Sequence, residues 1–244
     1  MASPVDLKTV NAGSVELKLA RAPALYVGLI LFCALAAFLY KLRFDGAFAC
    51  PANGYVSSAY LSDCTASNFG DYDHGAFWFG LEPEASRAVA EADVLFVGNS
   101  RLQFAMSVPE ARKWFSALSL RYYLLGFSHS ENAMYMGPLL SKIGPRAKVY
   151  VINVDRFFDD RLSPPTERLL KDRSIEGRYR EKRGWQVLHR PICGAVPALC
   201  GNRLAVYRER ADGYWRRNGQ EPVDRREVSD GRPSNVERWS QYAA

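Results

Sequence analysis

Neither a G-x-G-x-x-G nor a G-x-x-x-x-G-K-[ST] run occurs in the 244 residues, which removes the best-supported dinucleotide and nucleoside-triphosphate sites. Histidine is scarce: His74, His129 and His189 are the only three, and they stand far apart. There is no Cys-x-x-Cys or His-x₃₋₅-His spacing, so no metal-ligand pattern is present and no cofactor is implied. RNP, zinc-finger and basic-zipper patterns are missing too, and nucleic acid is not an expected partner. The formal charge of +6 belongs to one end of the chain. Residues 1–155 carry 13 basic and 13 acidic side chains, whereas residues 156–244 carry 19 and 13. That surplus is interleaved with acids, as at Glu181 between Arg178 and Arg183, the pattern of a solvated face. With 48% hydrophobic and 24% charged residues, the composition is that of a folded protein, one globular domain with an appendage.

Charge is absent altogether from Ala22 to Tyr40. These 19 residues, at about 1.5 Å each, reach roughly the 30 Å of a bilayer core and predict one transmembrane helix over 22–40. A buried core helix and a cleaved signal peptide are the competing readings, the second supported by Ala47-Phe48-Ala49, a small-x-small pattern before Cys50. The length of the run, and Lys41 and Arg43 between it and that pattern, favour an uncleaved anchor. Flanking charge sets orientation weakly, with Lys8, Lys18 and Arg21 on one side and Lys41 and Arg43 on the other. Cysteine usage is more informative. Cys33 lies in the apolar run, and the other four form two close pairs beyond it, Cys50 with Cys64 and Cys193 with Cys200. Four cysteines allow three connectivities, of which this short-loop one is simplest, and paired cysteines beyond an anchor point to an oxidising compartment. The expectation is a cytoplasmic N-terminus (1–21), a single-pass inner-membrane anchor and a periplasmic or otherwise extracytoplasmic remainder.

Residues 44–80 show no sustained period and are expected to be an irregular lead-in. Helix-forming Glu82–Ala92 is followed by the apolar run Asp93–Val97, which ends in Gly98-Asn99-Ser100 as a buried parallel strand meets its turn. A helix starts at Arg101, and Ser107-x-x-Glu110 has the form of a capping box opening another through about Leu118. Two further runs, Tyr122–Leu125 and Val149–Ile152, stop at Gly126 and at Asn153-Val154-Asp155, with a helix over Asn132–Ile143 between them. Strand alternating with helix predicts a parallel α/β sheet, in which ligands sit beyond the carboxyl ends of the strands.

A strand running into Gly98-Asn99-Ser100-Arg101, a second ending at Leu125-Gly126 and a third ending at Asn153-Val154-Asp155 resemble the first three blocks of the SGNH hydrolase superfamily of GDSL lipases and esterases. With the anchor, the chain is similar to membrane-anchored members of that superfamily in envelope-polysaccharide O-acylation. The resemblance covers residues 93–160. It implies an incomplete flavodoxin-like parallel sheet with helices on both faces over 81–160, followed by a basic helix/loop tail or insertion over 161–244. It implies Ser100 as nucleophile, Gly126 as a backbone oxyanion donor, and Asn153 as a side-chain donor, with Asp155 competing for that place. Without the resemblance, Gly-Asn-Ser is an ordinary turn capping a helix.

The pattern breaks at the base. No Asp-x-x-His follows Ser100, and a serine hydroxyl without an imidazole has no partner to take its proton. The one such motif, Asp71-x-x-His74, precedes the serine, where it would serve only as a circularly rearranged base; His129 and His189 are expected on the surface. Two further strands of the five-stranded family are not evident, Trp185–Leu188 being the lone candidate, and a three-stranded sheet would leave an unpaired edge. Truncation before the final strands is expected over a degenerate relative. Two functions follow: O-acyl transfer or ester hydrolysis on an envelope polysaccharide, or a non-catalytic anchored scaffold that binds glycan. The partners are accordingly a cell-envelope glycan or an acyl-transfer partner protein, and the membrane. By itself the chain is expected to be inactive.

Overall fold

A computed structural model describes residues 23–128, 131–172 and 174–218. It divides into two units, one ending at Lys41 and one beginning at Leu42. The first is dominated by α1 (Pro23–Phe44), which is long and apolar enough to cross a membrane and carries no buried residue. A signal sequence near an N-terminus has the same character.

The second unit is α/β. Three apolar runs form a parallel sheet in the order β4-β3-β5, with β3 at Val94–Asn99, β4 at Tyr122–Phe127 and β5 at Val149–Ile152. β5 ends where expected, whereas β3 and β4 run two residues past Val97 and Leu125, through the glycines to Asn99 and Phe127. Leu95 and Val97 of β3 and Tyr123, Leu125 and Phe127 of β4 share a core with α3 (Pro83–Ala90) and α6 (Ala133–Ile143). Val94, Tyr122 and Leu124 join a separate cluster with Ala111 and Phe115 of α5 (Val108–Ala117). Local chemistry sets the helix ends. Asn132 accepts the Met134 N–H at the start of α6, and Gly144 terminates it in the left-handed region at φ 68°. At α5 the Ser107 hydroxyl bonds the Glu110 carboxylate and makes no side-chain cap to the backbone, so the expected capping box closes on itself.

Outside residues 93–160 the expectations need correction. Residues 44–80 are not an irregular lead-in. They contain β1 (Ala59–Cys64), β2 (Gly70–Asp71) and α2 (Asp73–Trp78). Nor is the segment after residue 160 only helix and loop, because β6 (Ala205–Glu209) and β7 (Trp215–Arg217) complete an antiparallel sheet β2-β1-β6-β7. Trp185–Leu188 is no strand; it lies inside α8 (Ile175–Ala195). There the Gln186 amide takes the place of a strand neighbour to β1, accepting from the Leu61 N–H at 3.1 Å and donating to the Leu61 carbonyl at 2.9 Å.

Both expected disulfides are present, with Cα separations of 6.0 Å for Cys50–Cys64 and 5.7 Å for Cys193–Cys200. The first is part of the main core, and the second fastens the end of α8 beside Phe48. By restricting the unfolded chain, each contributes roughly 2–3 kcal/mol.

Candidate functional site

The parallel register sets Gly98 against Gly126 and Asn99 against Phe127, so the first two strand-end clusters lie side by side. Both glycines serve close approach. A Cβ at Gly126 would come 2.7 Å from the Asn99 carbonyl oxygen, so the Asn99–Ser100 peptide rests against Gly126. A Cβ at Gly98 would meet that of Asn153 at 2.7 Å.

Asn99 is the hub. Its Oδ1 accepts the Arg101 N–H at 3.0 Å, capping α4 (Ser100–Ala105), and also accepts from Asn153 Nδ2 at 3.3 Å. Its Nδ2 donates to the Asp155 carbonyl at 3.1 Å and to the Asp155 carboxylate at 3.4 Å. The Asp155 N–H in turn donates to Asn153 Oδ1 at 3.0 Å, and Arg101 closes the ring with an ion pair to Asp155 at 2.8 Å. The four sequence-predicted residues therefore gather around one turn. Asn153 and Asp155 do not compete for one place, because each holds a different side of Asn99. Ser100 is half-buried, and its hydroxyl has no hydrogen-bond partner among the described residues.

Gly126 is fixed from the far side. Its carbonyl accepts from Gln103 Nε2 at 3.2 Å and from the Arg208 guanidinium, which also donates to the Leu124 carbonyl at 2.8 Å. Arg208 is fully buried in β6 and forks onto Asp73, with Nη2–Oδ2 at 2.6 Å and Nε–Oδ1 at 3.1 Å. Burial opposes its charge, but the Asp73 carboxylate outweighs that and raises its pKa. Sequence reasoning missed Arg208. Its one visible signal is an arginine at the centre of Val206-Tyr-Arg-Glu209, where a strand buried on both faces should be apolar.

The Asp71-x-x-His74 motif reaches the same region but does not act as an open base. The His74 ring lies 4.8 Å from that of Phe127, the residue paired with Asn99. His74 Nδ1 bonds Asp71 at 2.6 Å, and Nε2, the nitrogen a nucleophile would need, bonds Glu131 at 2.8 Å. Burial disfavours the imidazolium, yet Asp71 and then Glu131 outweigh it and push the His74 pKa up to about 10. The ring is thus a charged double donor at neutral pH, with no lone pair to accept a proton. Ser163 donates to the same Glu131 oxygen.

His189 is not on the surface. It is buried in α8, where Nε2 bonds the Cys50 carbonyl at 2.8 Å and burial lowers its pKa. His129 lies outside the described residues. His189 with Cys193 and Cys200 forms the one grouping of metal-ligand types among the described residues, and the disulfide occupies both sulfurs. No family model, curated protein or solved structure matches the chain.

Proposed function

We propose that the protein is a single-pass, membrane-anchored SGNH hydrolase-like protein serving O-acyl transfer or ester hydrolysis on an envelope polysaccharide, with Ser100 as the acyl-bearing hydroxyl. The observation that carries this reading is the Asn99 hub, which gathers Ser100, Gly126, Asn153 and Asp155 at the carboxyl edge of a parallel sheet. The two hydrophobic clusters that divide β3 and β4 support a flavodoxin-like layout with helices on both faces. An extracytoplasmic location on the inner membrane is supported by α1 and by two disulfides in the folded unit.

Chemically, Ser100 needs a base, and His74 and His189 are both committed elsewhere. Proton transfer falls to an acyl-transfer partner protein, and the chain alone should turn over small esters poorly. A second reading, a non-catalytic scaffold holding the glycan at this edge, is favoured by the internal use of Asn153 and Asp155, whose polar atoms bond Asn99 and Arg101.

The test is the O-acyl content of envelope polysaccharide from cells that depend on this chain. Ser100→Ala should lower it at least tenfold at unchanged protein level. Wild-type acylation in Ser100→Ala would overturn the catalytic reading. If Asp155→Ala abolished acylation while Ser100→Ala did not, the scaffold would stand.

A further inference from the structure

Among the described residues, part of the basic content of the C-terminal third lines two cavities beside one helix. Two cavities flank α8, of about 310 and 260 Å³. Arg168, Arg178 and Lys182 line the larger, and Arg183 and Arg190 line the smaller. None of these five has a carboxylate within ion-pair distance among the described residues. Arg180, on the same helix, lines neither cavity and is paired with Glu176 at 2.6 Å.

The acids nearby are partly engaged. Asp71, at the larger cavity, bonds His74 through Oδ2 while its Oδ1 has no hydrogen-bond partner among the described residues, and Glu82, at the smaller, is held by Arg210 at 2.9 Å and by the Tyr72 hydroxyl at 3.2 Å. Glu181 is exposed and accepts from the Trp185 indole at 3.4 Å. Basic side chains thus outnumber acidic ones at each cavity, with Arg168, Arg178 and Lys182 against Asp71 at the larger and Arg183, Arg190 and Arg210 against Glu82 at the smaller. Donors remain: Lys182 gives one N–H to the Asp71 carbonyl at 2.6 Å and keeps two, and Arg168 gives only Nε, to Pro164. The Lys182 ammonium stands 4.9 Å from the Tyr179 ring centroid and 5.6 Å from that of Phe69, which places its charge at the wall of the cavity.

We propose that α8 and its two cavities bind an acidic polysaccharide, seating the oxyanions of successive charged sugars against Arg168, Arg178 and Lys182 at one cavity and Arg183 and Arg190 at the other. Arginine forks match carboxylate or phosphate oxygens in pairs, and cavities near 300 Å³ are at the small end of ligand sites, suited to single sugar units. From Arg178 to Arg190 the helix rises about 18 Å, so the cations repeat along a line as charges repeat along a polyuronate. Single-stranded nucleic acid fits less well, because it needs exposed rings for base stacking and both Tyr179 and Phe69 are buried. The choice of a polysaccharide as occupant rests on the proposed function, while the binding measurement does not involve Ser100, so the two can fail separately.

The test is binding to the full chain in nanodiscs of zwitterionic lipid, with fluorescent polygalacturonate, neutral dextran, poly(glycerol phosphate), oligo(dT) and phosphatidylglycerol vesicles as probes. Polygalacturonate should bind saturably and dextran should not; the poly(glycerol phosphate) arm shows whether phosphate serves as the same oxyanion. The paired variants Arg178→Gln/Lys182→Gln and Arg183→Gln/Arg190→Gln should each weaken polygalacturonate binding at least tenfold. Lys171→Gln/Arg180→Gln, which removes two ion-paired cations, should change it less than twofold, with all three variants unfolding cooperatively. Absence of polygalacturonate binding, an equal loss in all three variants, or tighter binding of oligo(dT) or vesicles would overturn the proposal.

Discussion

The two outer strands of the parallel sheet, β4 and β5, are both apolar in sequence yet meet opposite fates. Every residue of β4 is buried. Its outer edge is capped by the β6–β7 turn, where the Leu124 N–H donates to the Asp212 carbonyl at 2.8 Å and the Leu124 carbonyl accepts from Arg208 at 2.8 Å. In β5, Val149, Tyr150, Val151 and Ile152 remain 39–50% exposed. The Val149 and Asn153 N–H groups point to β3, so the alternation of the strand turns the Tyr150 and Ile152 N–H groups outward. An apolar run thus fixes a strand but not its cover. For β4 the cover is a charged side chain, carried 84 residues further along, whose charge Asp73 neutralises.

The largest expected effect comes from removing that strut. Arg208→Met should destabilise the domain by about 3–5 kcal/mol, because Asp73 is left buried without its partner and three carbonyls lose a donor. Chemical denaturation would measure it, and a loss under about 1 kcal/mol would mean that β4 keeps its cover without the guanidinium.

Next is the contrast between the strands themselves. Leu125→Ala on β4 should cost about 2–5 kcal/mol, as a fully buried leucine does. Val151→Ala on β5 should cost less than about 1 kcal/mol, because the side chain is already partly in water. Equal costs in the same denaturation experiment would erase the distinction between covered and open edges.

The last effect is a pH dependence. The folded pKa of His74, pushed up to about 10, lies above its ordinary 6.5, so its contribution is complete below pH 6.5 and is lost as pH rises toward 10. Lys182 acts in the opposite sense. Burial lowers it from 10.5 to about 8, a penalty complete below pH 8 and relieved above it. Stability should fall by about 1.4 kcal/mol per unit between pH 6.5 and 8, then stay level to pH 10. Lys182→Gln should extend the fall to pH 10. A profile flat from pH 6.5 to 8 would show that His74 is not held as an imidazolium.

The same contrast separates what is legible in the sequence from what is not. Strands β3, β4 and β5 are continuous apolar runs ended by Gly or Asn, and the Ser100, Gly126, Asn153 and Asp155 cluster follows from their parallel order. Strands β1 and β6 hide behind their charges, since Asp63 and Arg208 interrupt any apolar pattern and their burial depends on partners distant in sequence. Helix α8 is disguised because two members of its inward face, Gln186 and His189, are polar and find backbone partners at Leu61 and Cys50. The Glu131 clamp on His74 joins residues 57 apart and has no local signature.

The central claim is that the strand-end site is assembled as architecture yet lacks an open base for Ser100 among the described residues. Hydrolysis of p-nitrophenyl acetate by the purified full chain, set beside its Ser100→Ala variant, tests that claim most directly. The account predicts that both hydrolyse the ester at the same background rate. Turnover that disappears in Ser100→Ala would contradict it, and His74→Ala and His129→Ala would then identify the base.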